Sequence, residues 1–271
     1  MIVQHNITSM NANRQLGIVG GNLSKSTEKL SSGYKINRAA DDAAGLAISE
    51  KMRAQVRGLN RASDNAQDGI SLIQTAEGAM DQKHAILQRT RELVVQASNS
   101  AVLDKDTLDF QKIQDEIDNL KQEYDRIDSD TEFNKKKLLD GSYKNQYLQV
   151  GANKEQGISI TIASTAWQTV TVTGGDGKTN SGLIEDVVDD MITKVTTERS
   201  KLGAIQNRLE YTIKVDDNTA ENMQAAESRI RDTDMADEMT RFSKESILQQ
   251  AATSMLAQAN QANQGVLSLL Q

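Results

Sequence analysis

The chain has 271 residues, of which 37% are hydrophobic and 3% aromatic, and its net charge is −7. An acidic chain argues against a nucleic-acid partner, because phosphates attract a basic surface, and the absence of cysteine excludes disulfides and thiolate metal sites. The scarcity of aromatic residues argues against the core of a compact enzyme and favours narrow helix–helix contacts. Without a continuous apolar run of about 18 residues, the sequence predicts no membrane span.

The first predicted helix covers about residues 9–30 and carries a heptad repeat. Leu16, Leu23 and Leu30 are each seven residues apart, which is the spacing of the apolar contact line between two coiled helices. Gly33 follows the last of these leucines and predicts the turn that ends the helix.

A second helix is predicted over about residues 43–98, with Asp41 or Asp42 as its N-cap. Its apolar face includes Lys83 and Thr90 among aliphatic side chains. Internal glycines each cost a helix about 1 kcal/mol relative to alanine. They either permit close approach of another segment or mark a loop between residues 64 and 69; these glycines are Gly58, Gly69 and Gly78.

The third and fourth helices have the most regular spacing of apolar residues. The third is capped by Asp106 or Thr107, and its buried face alternates steps of three and four residues: Phe110, Ile113, Ile117, Leu120, Tyr124 and Ile127. The fourth covers residues 184–230 with the same spacing, and only Glu198 and Asp216 place charge in its apolar face.

Residues 141–182 change to an alternating pattern, which predicts β-strands at 147–150, 158–162 and 170–172. This region lies midway along the chain. We therefore expect a mainly α protein, an elongated rod of long coiled-coil-like helices that run out and back, with a small β-hairpin region at mid-chain and paired terminal helices.

Both chain ends are almost free of charge. Residues 246–271 contain no charged side chain, and residues 1–24 contain only Arg14. Chain ends are usually polar and exposed, so these ends are predicted to be buried together and against other copies.

The two histidines, His5 and His84, are far apart in sequence, and no phosphate loop or nucleophile motif is present. The sequence thus indicates assembly, with no enzyme activity, cofactor or metal.

Three long stretches resemble the bacterial flagellins, the subunits of the flagellar filament. They read LSKSTEKLSSGYKINRAADDAAGLAISEKMRAQVRGL at 23–59, ASDNAQDGISLIQTAEGAM at 62–80, and SRIRDTDMADEMTRFSKESILQQAATSMLAQANQANQGVLSLL at 228–270. With the intervening helices, the resemblance leaves out only about residues 141–182. Lys135 departs from the family, which often has glycine there, and so do Gly20 and Gly21, where polar residues are more usual.

The resemblance implies a division of the chain into three parts. Residues 1–40 and 232–271 would form a terminal coiled-coil domain in the inner core of the filament, and 41–140 with 183–231 a helical outer tube. Residues 141–182 would be a β-hairpin and a short variable segment, so that the filament is thin and smooth.

The resemblance also implies partners, location and assembly residues. The subunit would polymerise with itself in the extracellular flagellum for swimming motility, after unfolded export through the flagellar secretion channel without a cleaved signal peptide. An export chaperone would bind the C-terminal segment, and filament cap and hook–filament junction proteins would contact the polymer. The residues expected to drive self-assembly are Leu16, Leu23, Leu30, Met239, Phe242, Ile247, Met255, Leu256, Leu267 and Leu270.

A receptor site is implied by the segment LQRTRELVVQA at 87–97, which resembles the stretch that vertebrate Toll-like receptor 5 recognises in flagellins. By that match Arg89 and Leu93 are the central contacts, with Glu116 beside them on the next helix. The flanking contacts are Gln88, Glu92 and Gln96. An exposed leucine ringed by charge suits a binding hot spot. The alternative is that Leu93 packs against the next subunit and Arg89 pairs with Glu92 or Glu116.

Two alternatives to a filament subunit remain open at this stage. A hook–filament junction protein or a type III needle-type component shares the heptad ends and the export route. The ending SLLQ and the segment 87–97 favour a filament subunit.

Overall fold

A computed structural model describes residues 6–99, 108–174 and 177–268. It confirms the mainly α prediction and contains two small antiparallel sheets. The elements in chain order are α1 Ile7–Ser32, α2 Ala43–Ala97, α3 Leu108–Asp130, β1 Glu132–Phe133, β2 Lys136–Lys137, β3 Gln146–Gln149, β4 Gly157–Ile160, α4 Gly177–Leu183, the π-helical turn Ile184–Val188, α5 Asp189–Arg231 and α6 Met235–Ser268.

The chain divides into two compact units, which do not coincide with the three predicted parts. The first consists of Met1–Ala54 with Glu221–Gln271, and the second of Gln55–Ala220. The assignment of chain segments to an inner core and an outer tube stays a prediction.

In the first unit, α1 and α6 pair antiparallel, as predicted for the chain ends. The Asn6 side chain caps α1 by accepting a hydrogen bond from the Ser9 amide at 3.0 Å, and its Nδ2 donates to the Ala259 carbonyl at 3.0 Å. Toward the other end of the pair, Ser26 Oγ donates to Glu238 Oε1 at 2.6 Å. The helix continues through Gly20 and Gly21 without a break.

The two connections of this unit are joined to each other. Gly33 ends α1 in the left-handed region at φ 75°, as its position predicts, and its carbonyl accepts the Thr233 amide at 2.9 Å. Two guanidinium groups lie near the Tyr34 ring, with Arg231 at 4.9 Å and Arg53 at 5.6 Å from the ring centre. Backbone pairing and stacked cations therefore hold the α1–α2 connection against the α5–α6 connection.

Helix α2 begins as predicted and is not interrupted. Asp42 Oδ1 accepts the Gly45 amide at 2.9 Å, so Asp42 is the N-cap. In the second unit, a Cβ at Gly69 would lie 2.5 Å from Leu148 Cδ2, and one at Gly58 would lie 2.9 Å from Ala152 Cβ. Close approach of the β3–β4 hairpin therefore explains Gly58 and Gly69. Gly78 has no side chain within 4 Å of a Cβ position and no such reason.

A short hairpin, β1–β2, was absent from the sequence predictions. Its turn residues Asn134 and Lys135 have φ angles of 50° and 64°. Two successive left-handed residues form the tight turn that matches the twist of two paired strands, and asparagine tolerates this region better than lysine. The left-handed backbone at Lys135 explains why glycine would suit this position.

The strand predicted at 170–172 is wrong. Val170 and Val172 are buried, but the backbone pairs with a side chain and not with another strand. Gln114 Nε2 donates to the Val170 carbonyl at 3.3 Å, and its Oε1 accepts the Val172 amide at 2.8 Å. One amide thus provides the donor and acceptor that a neighbouring strand would supply.

The fourth predicted helix begins earlier than expected and contains a π-helical turn, Ile184–Val188. Two charged residues were predicted in the apolar face of this helix. Glu198 accepts a hydrogen bond from Lys201 at 2.6 Å, whereas Oδ2 of the buried Asp216 has no hydrogen-bond partner. Burial and the neighbouring Asp217 raise the pKa of Asp216. The predicted caps Asp106 and Thr107 lie outside the described residues.

A buried polar cluster fastens residues 163–172 to α2 and α3. Lys83 is 0% exposed, and its Nζ donates to Asp128 Oδ1 at 2.5 Å and to Thr165 Oγ1 at 2.8 Å. The ammonium lies 4.1 Å from the Tyr124 ring centre, and the Tyr124 hydroxyl donates to the Thr165 carbonyl at 2.6 Å. Burial lowers the pKa of Lys83 and raises the pKa of Tyr124 to about 12.

Tyr124→Phe tests this cluster through the pH dependence of unfolding. The folded-state pKa of Tyr124 lies above the unfolded value, so its contribution is complete below about pH 10 and is lost as pH rises toward 12. Over that window the wild type should lose about 2–3 kcal/mol of unfolding free energy that the variant keeps. Urea unfolding at pH 8 to 12 measures this difference. The exposed Tyr147→Phe is the control, and equal pH profiles for wild type and Tyr124→Phe contradict the prediction.

Candidate functional site

The first candidate surface lies on α2 and α3 of the second unit and is centred on Arg89. Arg89 Nε donates to Glu116 Oε1 at 2.9 Å, and Nη1 donates to Glu92 Oε2 at 3.0 Å. Hydrogen bonds that Arg89 donates to Glu92 and to Glu116 raise the pKa of Arg89, so the guanidinium stays charged. Gln88 and Gln96 are exposed on the same helix. The structure therefore brings together the predicted polar contacts on one surface, which we call the Arg89 surface.

Leu93 does not belong to this exposed surface. Its side chain is 2% exposed and lies in the hydrophobic core of the second unit, so the prediction of an exposed leucine ringed by charge is wrong. The physical reason is that Leu93 follows Met80, Leu87 and Thr90 along the buried face of α2. The alternative of an Arg89 ion pair is confirmed, because Arg89 contacts both carboxylates.

Val95 is the exposed apolar side chain of this segment, with 48% of its surface accessible. It lies seven residues after Gln88 and three after Glu92, so it shares their face of α2. The sequence contains this signal, because Val95 falls outside the three-and-four spacing of the buried residues.

The second candidate surface is formed by the paired terminal helices of the first unit. Several predicted assembly residues are half-buried between α1 and α6 within one chain; these are Leu16, Leu23, Leu30, Phe242 and Leu256. Others point away from this contact and are exposed, namely Met239, Ile247 and Met255, with 50%, 66% and 62% of their surface accessible. The side chains of Leu267 and Leu270 lie outside the described part of the chain.

The exposed apolar residues of α6 form a continuous line. Ile247, Ala251 and Met255 are four residues apart, and Leu248 lies beside them. On α1, Ile7, Met10 and Ile18 are exposed as well. The other side of α6 is already covered by α1. The exposed apolar line on α6 therefore indicates a contact with another molecule.

Neither a metal site nor a membrane span is found among the described residues. No cluster of three or more His, Asp or Glu side chains among them has metal-binding geometry. None of the helices in the described ranges is both long and apolar enough to cross a membrane.

Comparison with known proteins finds one family over most of the chain. Residues 3–144 match the family profile of the bacterial flagellin N-terminal helical region, and residues 186–270 match that of the C-terminal helical region. A flagellin from Halalkalibacterium halodurans is 52% identical and one from Bacillus subtilis 50%, each over the full length of both chains.

More distant relatives and a solved structure extend this similarity. The 31.3 kDa flagellar filament core protein of Treponema maltophilum is 46% identical over both full lengths. The crystal structure of Bacillus cereus flagellin is similar with a TM-score of 0.50 and 28% identity, covering 60% of this chain and 94% of that one.

Truncating Leu93 and Val95 separates the buried side chain from the exposed one. Leu93→Ala should lower the unfolding free energy by about 2–5 kcal/mol, because it leaves a cavity in the core. The adjacent Val95→Ala should change it by about 0.5 kcal/mol or less, as expected for a surface site. Urea unfolding of the two variants measures both values. An equal, small effect at both positions would show that Leu93 is not part of the core.

Proposed function

The chain belongs to the bacterial flagellin family and is a structural subunit of the extracellular flagellar filament; from this we propose that its terminal helices drive assembly in two distinct steps. Within one subunit, α1 and α6 cover each other along the leucine heptad. Between subunits, the exposed line of α6 is covered by another copy. The single observation that supports this division is the contrast between half-buried Leu256 and exposed Met255.

The absence of charge explains why the exposed line can be buried on assembly. Each buried aliphatic side chain contributes about 1.5–3 kcal/mol, whereas an unpaired buried charge costs several kcal/mol. From Ser246 onward α6 contains no charged side chain. Burial of Ile247 and Met255 against a second copy therefore requires no ion to lose its water.

Export and partner binding belong to the same proposal. We infer that the subunit leaves the cell unfolded through the flagellar secretion channel without cleavage, that an export chaperone shields the C-terminal segment, and that cap and hook–filament junction proteins contact the polymer. The lack of proline supports this, since no slow X-Pro isomerisation delays refolding after export. Retained secretion in cells that lack the flagellar export apparatus would contradict it.

The Arg89 surface is proposed as a contact for Toll-like receptor 5. Its support is the exposed arrangement of Gln88, Arg89, Glu92 and Gln96 beside Glu116. The ion pairs with Glu92 and Glu116 hold the Arg89 guanidinium in one orientation at the surface. Leu93 contributes only indirectly, because it is buried in the core and fixes the position of α2.

A hook–filament junction protein is the second candidate, and its polymerisation behaviour separates it from a filament subunit. A filament subunit forms long helical polymers on its own, whereas a junction protein does not. The full-length similarity to named flagellins favours the filament subunit.

Charge substitution on α6 tests the proposed assembly. Met255→Asp and Ile247→Asp should raise the critical concentration for polymerisation about 100-fold, equivalent to about 3 kcal/mol, without changing thermal unfolding. Leu256→Asp should also weaken the α1–α6 pairing and reduce the helix content. Sedimentation and electron microscopy of the purified variants measure polymer formation.

Asn153→Asp in the β3–β4 turn is the matched control, because it adds the same charge at an exposed position. It should polymerise like the wild type. Normal filaments from Met255→Asp would show that the exposed line of α6 is not a contact between subunits.

Receptor signalling tests the Arg89 surface. Arg89→Ala should reduce activation of cells that carry Toll-like receptor 5 by about tenfold or more, as expected for a hot-spot arginine. Arg61→Ala is the control, because Arg61 is also on α2 and pairs with Asp64 three residues later. Monomeric protein is compared in a dose–response assay. Identical curves for wild type and Arg89→Ala would overturn the proposed site.

A further inference from the structure

The methionines of the chain differ in exposure between the two units. The sequence contains nine methionines and no cysteine, so methionine is its only sulfur-containing residue. In the second unit, Met80 and Met191 are buried in the hydrophobic core. In the first unit no described methionine is buried. The exposed methionines among the described residues all lie on α1 and α6; these are Met10, Met235, Met239 and Met255.

Met255 belongs to the exposed apolar line of α6. It is 62% accessible and lies one helical turn after Ala251 in that line. The other positions three or four residues away are Ala252, Gln258 and Ala259, so no charged side chain lies beside it. Because alanine is small, the methionine side chain supplies much of the apolar surface at this end of the line.

Oxidation makes this position polar without adding charge. Hydrogen peroxide transfers an oxygen atom to the thioether sulfur: the sulfur gives up two electrons and becomes a sulfoxide, the O–O bond breaks, and the other oxygen leaves as water. The sulfoxide oxygen accepts hydrogen bonds, and its burial without a donor costs free energy. The alanine side chains beside Met255 offer no donor. Burial of the oxidised line against a second copy is therefore less favourable than burial of the thioether.

We propose that Met255 is an oxidation site that controls the entry of the subunit into the filament. Hydrogen peroxide oxidises the free subunit at this position, and the sulfoxide weakens the contact of the α6 line with another copy. In the assembled filament the same contact covers the sulfur and protects it. The inference rests on the assembly contact in the proposed function and adds a modification that weakens this contact.

Peptide mass spectrometry after a timed exposure to hydrogen peroxide is the first test. In the free subunit, Met255 should be oxidised at least about tenfold faster than the buried Met80, which is the internal control. In filaments the oxidation of Met255 should be about tenfold slower than in the free subunit. Equal rates for Met255 and Met80 in the free subunit overturn the proposal, and so do equal rates for Met255 in subunit and filament.

Polymerisation before and after oxidation is the second test. Each protein is oxidised, freed of peroxide and compared by sedimentation with its own untreated sample. Oxidation should raise the critical concentration of the wild type about tenfold and that of Met255→Leu less than about threefold, because leucine is apolar and has no sulfur. Met235→Leu is the matched control. It removes another exposed methionine of α6, next to Asp234, and should stay as sensitive as the wild type.

Three results of this comparison overturn the proposal: an unchanged critical concentration for the oxidised wild type, equal sensitivity of the wild type and Met255→Leu, or a loss of sensitivity in Met235→Leu. Thermal unfolding of the treated and untreated proteins is measured alongside and should be unchanged, because Met80 and Met191 are buried. A fall in thermal stability that accompanies the loss of polymerisation also overturns the proposal, since unfolding would then be the cause.

The charge variant Met255→Asp separates this inference from the proposed function. If Met255→Asp polymerises normally, the contact of the α6 line is absent and both proposals fail. If Met255→Asp does not polymerise while the oxidised wild type polymerises normally, only the oxidation site fails.

Reversal of the oxidation is the third test. Methionine sulfoxide reductases release the sulfoxide oxygen as water while two thiols of the reductant are oxidised to a disulfide. Treatment of the oxidised subunit with such reductases and dithiothreitol should therefore restore polymerisation. The reductant cannot change a disulfide in the subunit, because the chain has no cysteine. Removal of the sulfoxide at Met255 without recovery of polymerisation overturns the proposal.

Discussion

The fold depends on narrow apolar contact lines between long helices, in which almost every position is aliphatic. Each charge that enters such a line must be compensated by its own neighbours. In the second unit Lys83 enters such a line, and Asp128, Thr165 and the Tyr124 ring surround its ammonium. Glu198 reaches Lys201 at the edge of α5. Asp216 has an oxygen without a partner, and burial raises its pKa. The three cases show why a chain built on such contacts keeps charge away from the surfaces it must bury.

The same constraint decides how much of the structure could be predicted. Helices α1, α2, α3 and α5 were predictable because their buried residues repeat every three or four positions, and Gly33 and Asp42 end and begin helices by local chemistry. The burial of the α6 tail, expected from its lack of charge, stays a prediction, because Ile247 and Met255 are exposed within one subunit. These signals are local, so no knowledge of distant contacts was necessary.

The errors concern contacts between segments far apart in sequence and one local turn that lacks its usual residue. Residues 170–172 alternate like a strand, but their backbone hydrogen bonds are made with the side-chain amide of Gln114. No pattern in either segment indicates this contact. The turn at Asn134 and Lys135 adopts left-handed backbone without the glycine that usually signals it. At the candidate site, the ion pairs of Arg89 followed from helix spacing, while the burial of Leu93 depended on the core that α3 and the later segments complete.

An apolar contact line fixes that two helices pair but only weakly fixes their register, because one aliphatic residue can replace another. In the α1–α6 pair, polar contacts supply that information. The buried Ser26 hydroxyl bonds Glu238, and at the other end Asn6 bonds the Ala259 carbonyl. A shift by one heptad would break the bond between Ser26 and the buried Glu238, and a buried polar group that loses its partner costs about 1–3 kcal/mol. Within one subunit, these polar contacts therefore fix the alignment of α1 with α6.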